Sequence, residues 1–556
     1  MRMENNFNSA PETSAEELSA LARIFALFLG KRARLFPELM AELGSRIVTA
    51  RNEGDSFITL DEKEIEAVKA NPHLLTGDEA LLVLEGKRLY LFREYHSELS
   101  LANSIAQRLH APVPEKVFSR EEILQTFTIE PHERQIAAVE NALSSNFSII
   151  SGGPGTGKTT IIAALVNLEV KRNPAIVIEI AAPTGKAAEL LTAGLARSCP
   201  DHPVKAGTLH SLFKARPGSG SFQKNSASPL ECDLLIVDEC SMISLDTAAK
   251  MFKGLSPHTR VVLSGDHRQL EAIGSGAVLS SLLTFVSDGS SEAEKLKKCS
   301  VELTANYRSK SAPMIQDLAR AIREEDDNAR LSSKITESSS DHYTFKKTQG
   351  DSSKEIIAEA VKKWGTLPRI CSEITEESLK EAFRKLKSFR VVTAARVGKE
   401  GCEMFNSKIL DALALDSLHA PGSAVLITRN SSRTGVSNGD VGIVFADQEN
   451  GGVKVFFEHL AAPLSLHDLP PHESAFAITV HKAQGSGFDE VCFPLPSRET
   501  PLLTRELFYT ALTRAARKIT IFGTSQMVMA ALSQESCRAT TLTERIIAQL
   551  KVCDEK

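Results

Sequence analysis

From about residue 130 onward, short apolar runs recur along the chain, each closing on glycine, proline or polar residues. Phe147–Ile150, Ile176–Ala181, Leu234–Val237 and Arg260–Ser264 read as strands buried on both faces, with helical periodicity between them. That alternation predicts an α/β fold built on a parallel sheet. A second set follows at Arg390–Ala394, Ala475–Val480, Glu490–Leu495 and Lys518–Gly523. Leu331–Lys354, between the two sets, is rich in serine and charge and predicts a mobile connection. Lys214–Pro229 is dense in turn formers and predicts a small excursion from the first set. Inside the second set, Ala424–Thr428, Val441–Phe445 and Val453–Phe457 are short β-like runs. Asn438-Gly439-Asp440 and Glu449-Asn450-Gly451-Gly452 separate them, so a small β-barrel is expected over about residues 420–470.

The first 120 residues have a different character. Ser14-Ala15-Glu16-Glu17 reads as a capping box. After it, Leu18, Leu21, Ile24, Phe25 and Phe28 share one helical face, with Gly30 as the expected stop. Leu81–Leu84 and Arg88–Phe92 flank Glu85-Gly86 as a hairpin, and a helix is expected to follow through Leu109. Neither a glycine loop nor a carboxylate cluster occurs here, so this part reads as a small, mainly helical docking domain or a spacer.

Composition narrows the picture only slightly. A net charge of -5 argues against a uniformly basic surface, yet nucleic acid needs only a local positive groove. Nine scattered cysteines without a C-x-x-C pair disfavour a zinc ribbon or redox motif and fit a reducing cytosol. The first residues lack signal-peptide character and no apolar run reaches membrane-spanning length, so a cytoplasmic protein is expected.

The chemistry begins at Gly152-Gly153-Pro154-Gly155-Thr156-Gly157-Lys158-Thr159, between a strand and a helix. This spacing leaves backbone N–H groups free to cradle phosphates, with Lys158 reaching the terminal phosphates and the Thr159 hydroxyl holding Mg²⁺. ATP and Mg²⁺ are the expected cofactors. Asp238 and Glu239 follow the strand Leu234–Val237. Phosphoryl transfer needs one carboxylate for the metal and one to orient or deprotonate water, which suits Asp238 and Glu239 respectively. Gln269, in Gly265-Asp266-His267-Arg268-Gln269-Leu270, is neutral with both donor and acceptor, so it can sense a γ-phosphate without holding a proton. Arg308, in Asn306-Tyr307-Arg308-Ser309, and Arg514, in Leu512-Thr513-Arg514-Ala515, offer guanidinium groups suited to developing phosphoryl charge. A single arginine is more often a surface ion pair. For nucleic acid, Thr184 and Lys186 in APTGKAA, Thr208 and His210, and Thr479, His481 and Lys482 in TVHKAQG offer amides, hydroxyls and cations to phosphates. Phe213 and Phe488 are candidate stacking faces, although core burial is the commoner role of such residues.

In the order GGPGTGKT, APTGKAA, VDE, GDHRQL, NYRS, TVHKAQGSGF and FYTALTRA, these segments resemble superfamily 1 DNA helicases. More closely the chain resembles the RecD family, alpha subunits of bacterial RecBCD exonuclease V complexes. That likeness also rests on LITRN leading to NGDVG, and on LLVLEGKRLYLF near the N-terminus. It implies two RecA-like P-loop motor domains, over 121–300 and 301–556, with ATP in the cleft between them and an SH3-like barrel inserted in the second. It further implies 5′→3′ movement on single-stranded DNA during double-strand-break repair and recombination, with double-stranded DNA and RecB-like and RecC-like subunits as partners. Gln135 matches the family's adenine-reading glutamine, Arg308 and Arg514 its γ-phosphate arginines. Thr184, Thr208, His210, Thr479 and His481 fall on its DNA-facing motifs. Two positions depart from H-K-S-Q-G-S-E-F: Ala483 stands for serine and Gly487 for glutamate, which puts a contact to the nucleotide sugar in doubt. Cys240 replaces the usual alanine after the carboxylate pair. The short N-terminal region favours a subunit over a self-sufficient RecD-like helicase, and any exonuclease activity is expected in a partner. A third reading, a DNA-binding scaffold that no longer moves, has intact candidates for every catalytic role against it.

Overall fold

The computed structural model describes residues 20–554 except 78–79, 114–117, 200–203, 217–219, 273, 285–288, 306, 308–311, 349–351, 432, 449–450 and 537. Two parallel sheets carry the architecture. In the first, the strand order is Ala206–Thr208, Ile178–Ala182, Leu234–Val237, Arg260–Gly265, Phe147–Gly152 and Ser300–Leu303. Every pairing in it is parallel. Its central strands are buried along their whole length, which is why they read as unbroken apolar runs. Three neighbours therefore end side by side at Val237, Gly265 and Gly152, and the motif loops they feed share one edge.

The second sheet runs Ser339–Ser340, Tyr343–Lys347, Ala515–Gly523, Phe488–Pro494, Phe389–Thr393, Ala477–Thr479. All its pairs are parallel except the first short hairpin. Tyr343–Lys347 corrects the expectation of a mobile connection over Leu331–Lys354. Helix Asn328–Glu337 buries Leu331 and Ile335, and Tyr343 is fully buried with its hydroxyl donating to Ile335 O at 2.7 Å. Serine-rich composition hid three well-spaced apolar anchors.

The insertion is a five-stranded antiparallel sheet, Leu464–Ser465, Gly452–Phe457, Val441–Asp447, Ala424–Ile427 and His472–Ser474. Val425, Ile427, Val436, Val444, Val455 and Phe457 form a small core of its own. The expected excursion at Lys214–Pro229 contains two isolated bridges, Ala215 with Phe222 and Asn225 with Ser228.

At the N-terminus the expected capping box lies outside the described residues. Helices Ala20–Arg32 and Pro37–Glu53 pack as a pair, followed by a three-stranded antiparallel sheet that includes the hairpin Leu82–Glu85/Arg88–Leu91. Gly30 does not stop its helix. It lies at a close crossing, where an added Cβ would stand 3.0 Å from both Ala41 Cβ and Pro37 O. Of the apolar face read from periodicity, Leu18 lies outside the described residues and Phe25 packs against the N-terminal core, but the other three point outward. Ala22 and Leu29 are buried, whereas Leu21, Ile24 and Phe28 are 53%, 63% and 40% exposed.

The helices Phe92–His110 and Leu542–Asp554 cover one face of the first sheet: Leu101, Ile105, Leu542, Ile546 and Leu550 share its core. The C-terminal helix, expected within 301–556 as part of the second motor, thus packs on the first. Glu98 ties these parts together. Fully buried, it accepts from Ser56 Oγ at 2.7 Å and Thr540 Oγ1 at 2.6 Å, from Thr541, and from Arg545 Nε at 3.4 Å. Glu98→Ala would strand these donors, and we expect it to cost about 3 kcal/mol. Chemical denaturation checks this, since a loss under about 1 kcal/mol would mean that water or rearrangement replaces the carboxylate.

Candidate active site in the cleft between the two sheets

The glycine loop leaves the strand Phe147–Gly152 and enters the helix Lys158–Arg172. Gly157 has φ 89°, a left-handed conformation, and a Cβ there would run into the amide of Gln135. Lys158 folds back over the loop, Nζ donating to Gly152 O at 2.7 Å and Gly153 O at 3.3 Å. Buried Gln135 donates through Nε2 to Thr156 O at 3.0 Å, and its Oε1 accepts from Tyr307 Oη at 2.7 Å. Its second amide hydrogen thus remains available as a donor. Tyr307, whose backbone N–H donates to Gly155 O at 2.9 Å, is 41% exposed, and no local pattern in the sequence marks it as a partner of Gln135. Its neighbour Arg308 lies outside the described residues.

Asp238 is buried, and its Oδ1 accepts from Ser264 Oγ at 2.7 Å, which fixes the carboxyl on the neighbouring strand. Glu239 has φ 54°, uncommon for a side chain of its size, as found where strain aims a functional group. Burial and then Asp238 push the Glu239 carboxyl up, while Lys158 and Arg514 pull it down. A hydroxyl from Thr159 and a free carboxylate oxygen of Asp238 are hard donors of the kind a divalent cation such as Mg²⁺ takes.

Contacts across the cleft centre on Gln269. Its Oε1 accepts from Arg514 Nη2 at 3.1 Å, and its Nε2 donates to Asp266 Oδ2 at 3.1 Å. Arg514 caps the end of the helix Arg505–Thr513 and also donates to Thr510 O and Ser486 O, each at 3.2 Å. Leu270 N–H donates to Thr510 Oγ1 at 2.8 Å, and Gln484 reaches Leu270 O. Tyr509 Oη donates to Asp266 Oδ2 at 3.0 Å. Burial alone would raise the Asp266 carboxyl, but Lys158, Arg323 and the Gln269 hydrogen bond bring it below its ordinary value. Burial and Asp266 push the Tyr509 hydroxyl well up, so it stays a donor. Asp266 and Tyr509 lie within the GDHRQL and FYTALTRA segments, yet nothing local marks them as partners. At Gly487 a Cβ would find only Arg514 O, at 4.0 Å, so the missing glutamate leaves open space.

The residues expected to face DNA occupy strand-to-helix turns. Thr184, Thr208 and Thr479 each cap a helix, accepting from Ala187 N, Ser211 N and Lys482 N. A Cβ on Gly485 would stand 3.5 Å from Thr184 Oγ1, so the two halves meet at these motifs. Partial desolvation of its ring, which lies edge-on to Phe222, followed by Lys250 lowers the His210 pKa; burial and then Arg538 do the same for His481. Lys186 pairs with Glu189 at 2.8 Å, and Lys482 with Glu473 at 2.5 Å. Phe213 and Phe488 are buried, Phe488 beneath the Arg390 guanidinium at 4.8 Å, so neither presents a stacking face. Core packing claimed both rings.

Residues 135–275 match the AAA domain family and residues 474–522 the UvrD-like helicase C-terminal domain. RecBCD enzyme subunit RecD of Haemophilus influenzae is 31% identical over 509 residues, covering 80% of this chain and 78% of that protein. The Mycolicibacterium smegmatis subunit of the same name is 32% identical over 503 residues, covering 87% and 86%. The chain belongs to the RecD family of superfamily 1 helicases. ATP-dependent helicase or translocase activity on DNA goes with that membership. The ATP-dependent RecD2 DNA helicase of Deinococcus radiodurans is 27% identical over 95% of this RecD-family chain and 68% of its own length. Bacteroides Pif1 bound to single-stranded DNA has 20% identity and a TM-score of 0.39, covering 72% of this chain and 94% of its own. Among the described residues, no helix is long and apolar enough to cross a membrane.

Proposed function

We propose that this chain is the 5′→3′ motor subunit of a RecBCD-type complex, working in the cytoplasm on broken DNA ends beside RecB-like and RecC-like partners. The observation that carries the motor reading is the direct contact of the two halves beside the glycine loop, where Arg514 Nη2 donates to Gln269 Oε1 at 3.1 Å and Tyr509 Oη to Asp266 Oδ2 at 3.0 Å. In this reading Lys158 and the loop amides hold the phosphates, with Gly152, Gly153, Pro154, Gly155, Thr156 and Gly157 forming the cradle. Thr159 and Asp238 would hold Mg²⁺, which would supply positive charge to offset that of the phosphates. Glu239 orients and deprotonates water, Gln269 senses the γ-phosphate, Arg308 and Arg514 stabilise transferred charge, and Gln135 reads adenine. Because Gln269 already bonds Arg514, a change at the γ-phosphate passes directly to the second half. Thr184, Lys186, Thr208, His210, Thr479, His481 and Lys482 grip the strand as the halves close and open.

Support for the subunit reading comes from the N-terminal surface. Leu21, Ile24, Leu27 and Phe28, with Leu35 and Phe36, are exposed apolar side chains close together in sequence that a partner would cover. The expected result with partners present is unwinding of 5′-tailed duplexes and little unwinding of 3′-tailed ones. Preference for the 3′ tail would overturn the polarity. Efficient unwinding by the purified chain alone would replace the subunit reading with a self-sufficient helicase.

A further inference from the structure

Arg323 sits on the helix Pro313–Glu324, outside every segment singled out from the sequence. That helix packs on Arg505–Thr513 and so belongs to the second half. Its guanidinium nevertheless crosses the cleft. Nη2 donates to Glu302 Oε1 at 2.8 Å, on the edge strand that pairs with the phosphate-loop strand. Nη1 stands 3.5 Å from the place a Cβ on Gly153 would occupy. The same Cβ would meet Tyr509 Oη at 2.9 Å, so glycine keeps this flank of the loop open.

The side chain is only 12% exposed, and its buried Nε has no acceptor. A largely desolvated guanidinium with unused donors is costly unless an anion completes its shell. Its present partner is a poor competitor, because Glu302 is 39% exposed and can return to water when released. A cavity of about 1070 Å³, lined in part by His267, Glu302, Arg323 and Tyr509, gives the side chain room to move. A planar, permanently charged fork at a phosphate cradle suits a phosphoryl group better than a half-solvated carboxylate.

We propose that Arg323 is a further phosphate-sensing arginine, which exchanges Glu302 for the terminal phosphate of a bound nucleoside triphosphate. The inference rests on the ATPase reading above. Since Arg323 travels with the second half, the exchange adds a second tie between triphosphate binding and cleft closure.

The test uses the full chain with fluorescent ATPγS and ADP for binding, and single-stranded DNA for stimulated turnover. Arg323→Ala is expected to reduce the preference for the triphosphate over ADP by about tenfold. It should lower kcat by about 100-fold while KM changes less than about threefold. Arg323→Lys, which keeps the stem and charge in case the alanine variant misfolds, should lose about tenfold in kcat. Glu302→Gln releases the arginine and should keep both the preference and the turnover. An unchanged triphosphate preference in Arg323→Ala overturns the proposal, as does an equal loss in Arg323→Ala and Glu302→Gln, which would mark a purely structural ion pair. Failure of the wild-type chain to bind ATP at all would sink the ATPase reading itself, and this inference with it.

Discussion

Lys158→Ala is expected to lower DNA-stimulated ATP turnover by about 1,000-fold while leaving the fold intact. The lysine contributes little to the resting structure. Its ammonium rests on the carbonyls of Gly152 and Gly153, which water can solvate once the side chain is gone. The loss of one such hydrogen bond amounts to about 1 kcal/mol. Its value to turnover is larger, because a fixed cation in a water-poor cleft meets charge that grows as the phosphoryl group transfers. Steady-state hydrolysis with saturating single-stranded DNA, paired with thermal melting, separates the two effects. Turnover within about threefold of wild type would remove Lys158 from the site.

Arg514→Ala should bind nucleotide within about tenfold of wild type yet hydrolyse it about 1,000-fold more slowly. The reason lies in where the guanidinium sits. It reaches Gln269 at 3.1 Å from the opposite half, so in the proposed cycle it would act on the γ-phosphate side rather than on the cradle. Unlike Lys158 it is buried, and its bonds to Thr510 O and Ser486 O also brace the end of its helix. Some destabilisation, about 1–3 kcal/mol, is therefore expected alongside the catalytic loss. Arg514→Lys keeps charge but not the fork, and should restore stability more than turnover. Equal recovery of both would reduce Arg514 to a structural brace.

The two assignments differ in how visible they were beforehand. Lys158 stood in a loop whose glycines are dictated by local backbone geometry, and Gly157 does adopt the left-handed conformation that this geometry needs. By local pattern Arg514 is one arginine among many; the resemblance of FYTALTRA to a helicase motif singles it out, and the structure sets its helix Arg505–Thr513 against the Gly265–Leu270 turn. Tyr509 and Asp266 lie within the FYTALTRA and GDHRQL segments, but their hydrogen bond spans 243 positions. Arg323 carried no local signal at all.

Local pattern by itself determined the two sets of buried strands, the glycine loop, the carboxylate pair that follows Val237 and the antiparallel insertion. Each depends on neighbouring residues alone: the period of apolar positions, the φ a turn demands, the run length a buried strand needs. Only the tertiary structure decided which surfaces those elements meet. It turned Leu21, Ile24 and Phe28 outward, packed Gly30 against Ala41, and drew Tyr343 into the second sheet. It also buried Phe213 and Phe488, and laid the C-terminal helix on the first sheet. Such choices follow from how much apolar area distant segments can jointly remove from water, a quantity that no single stretch of the chain contains.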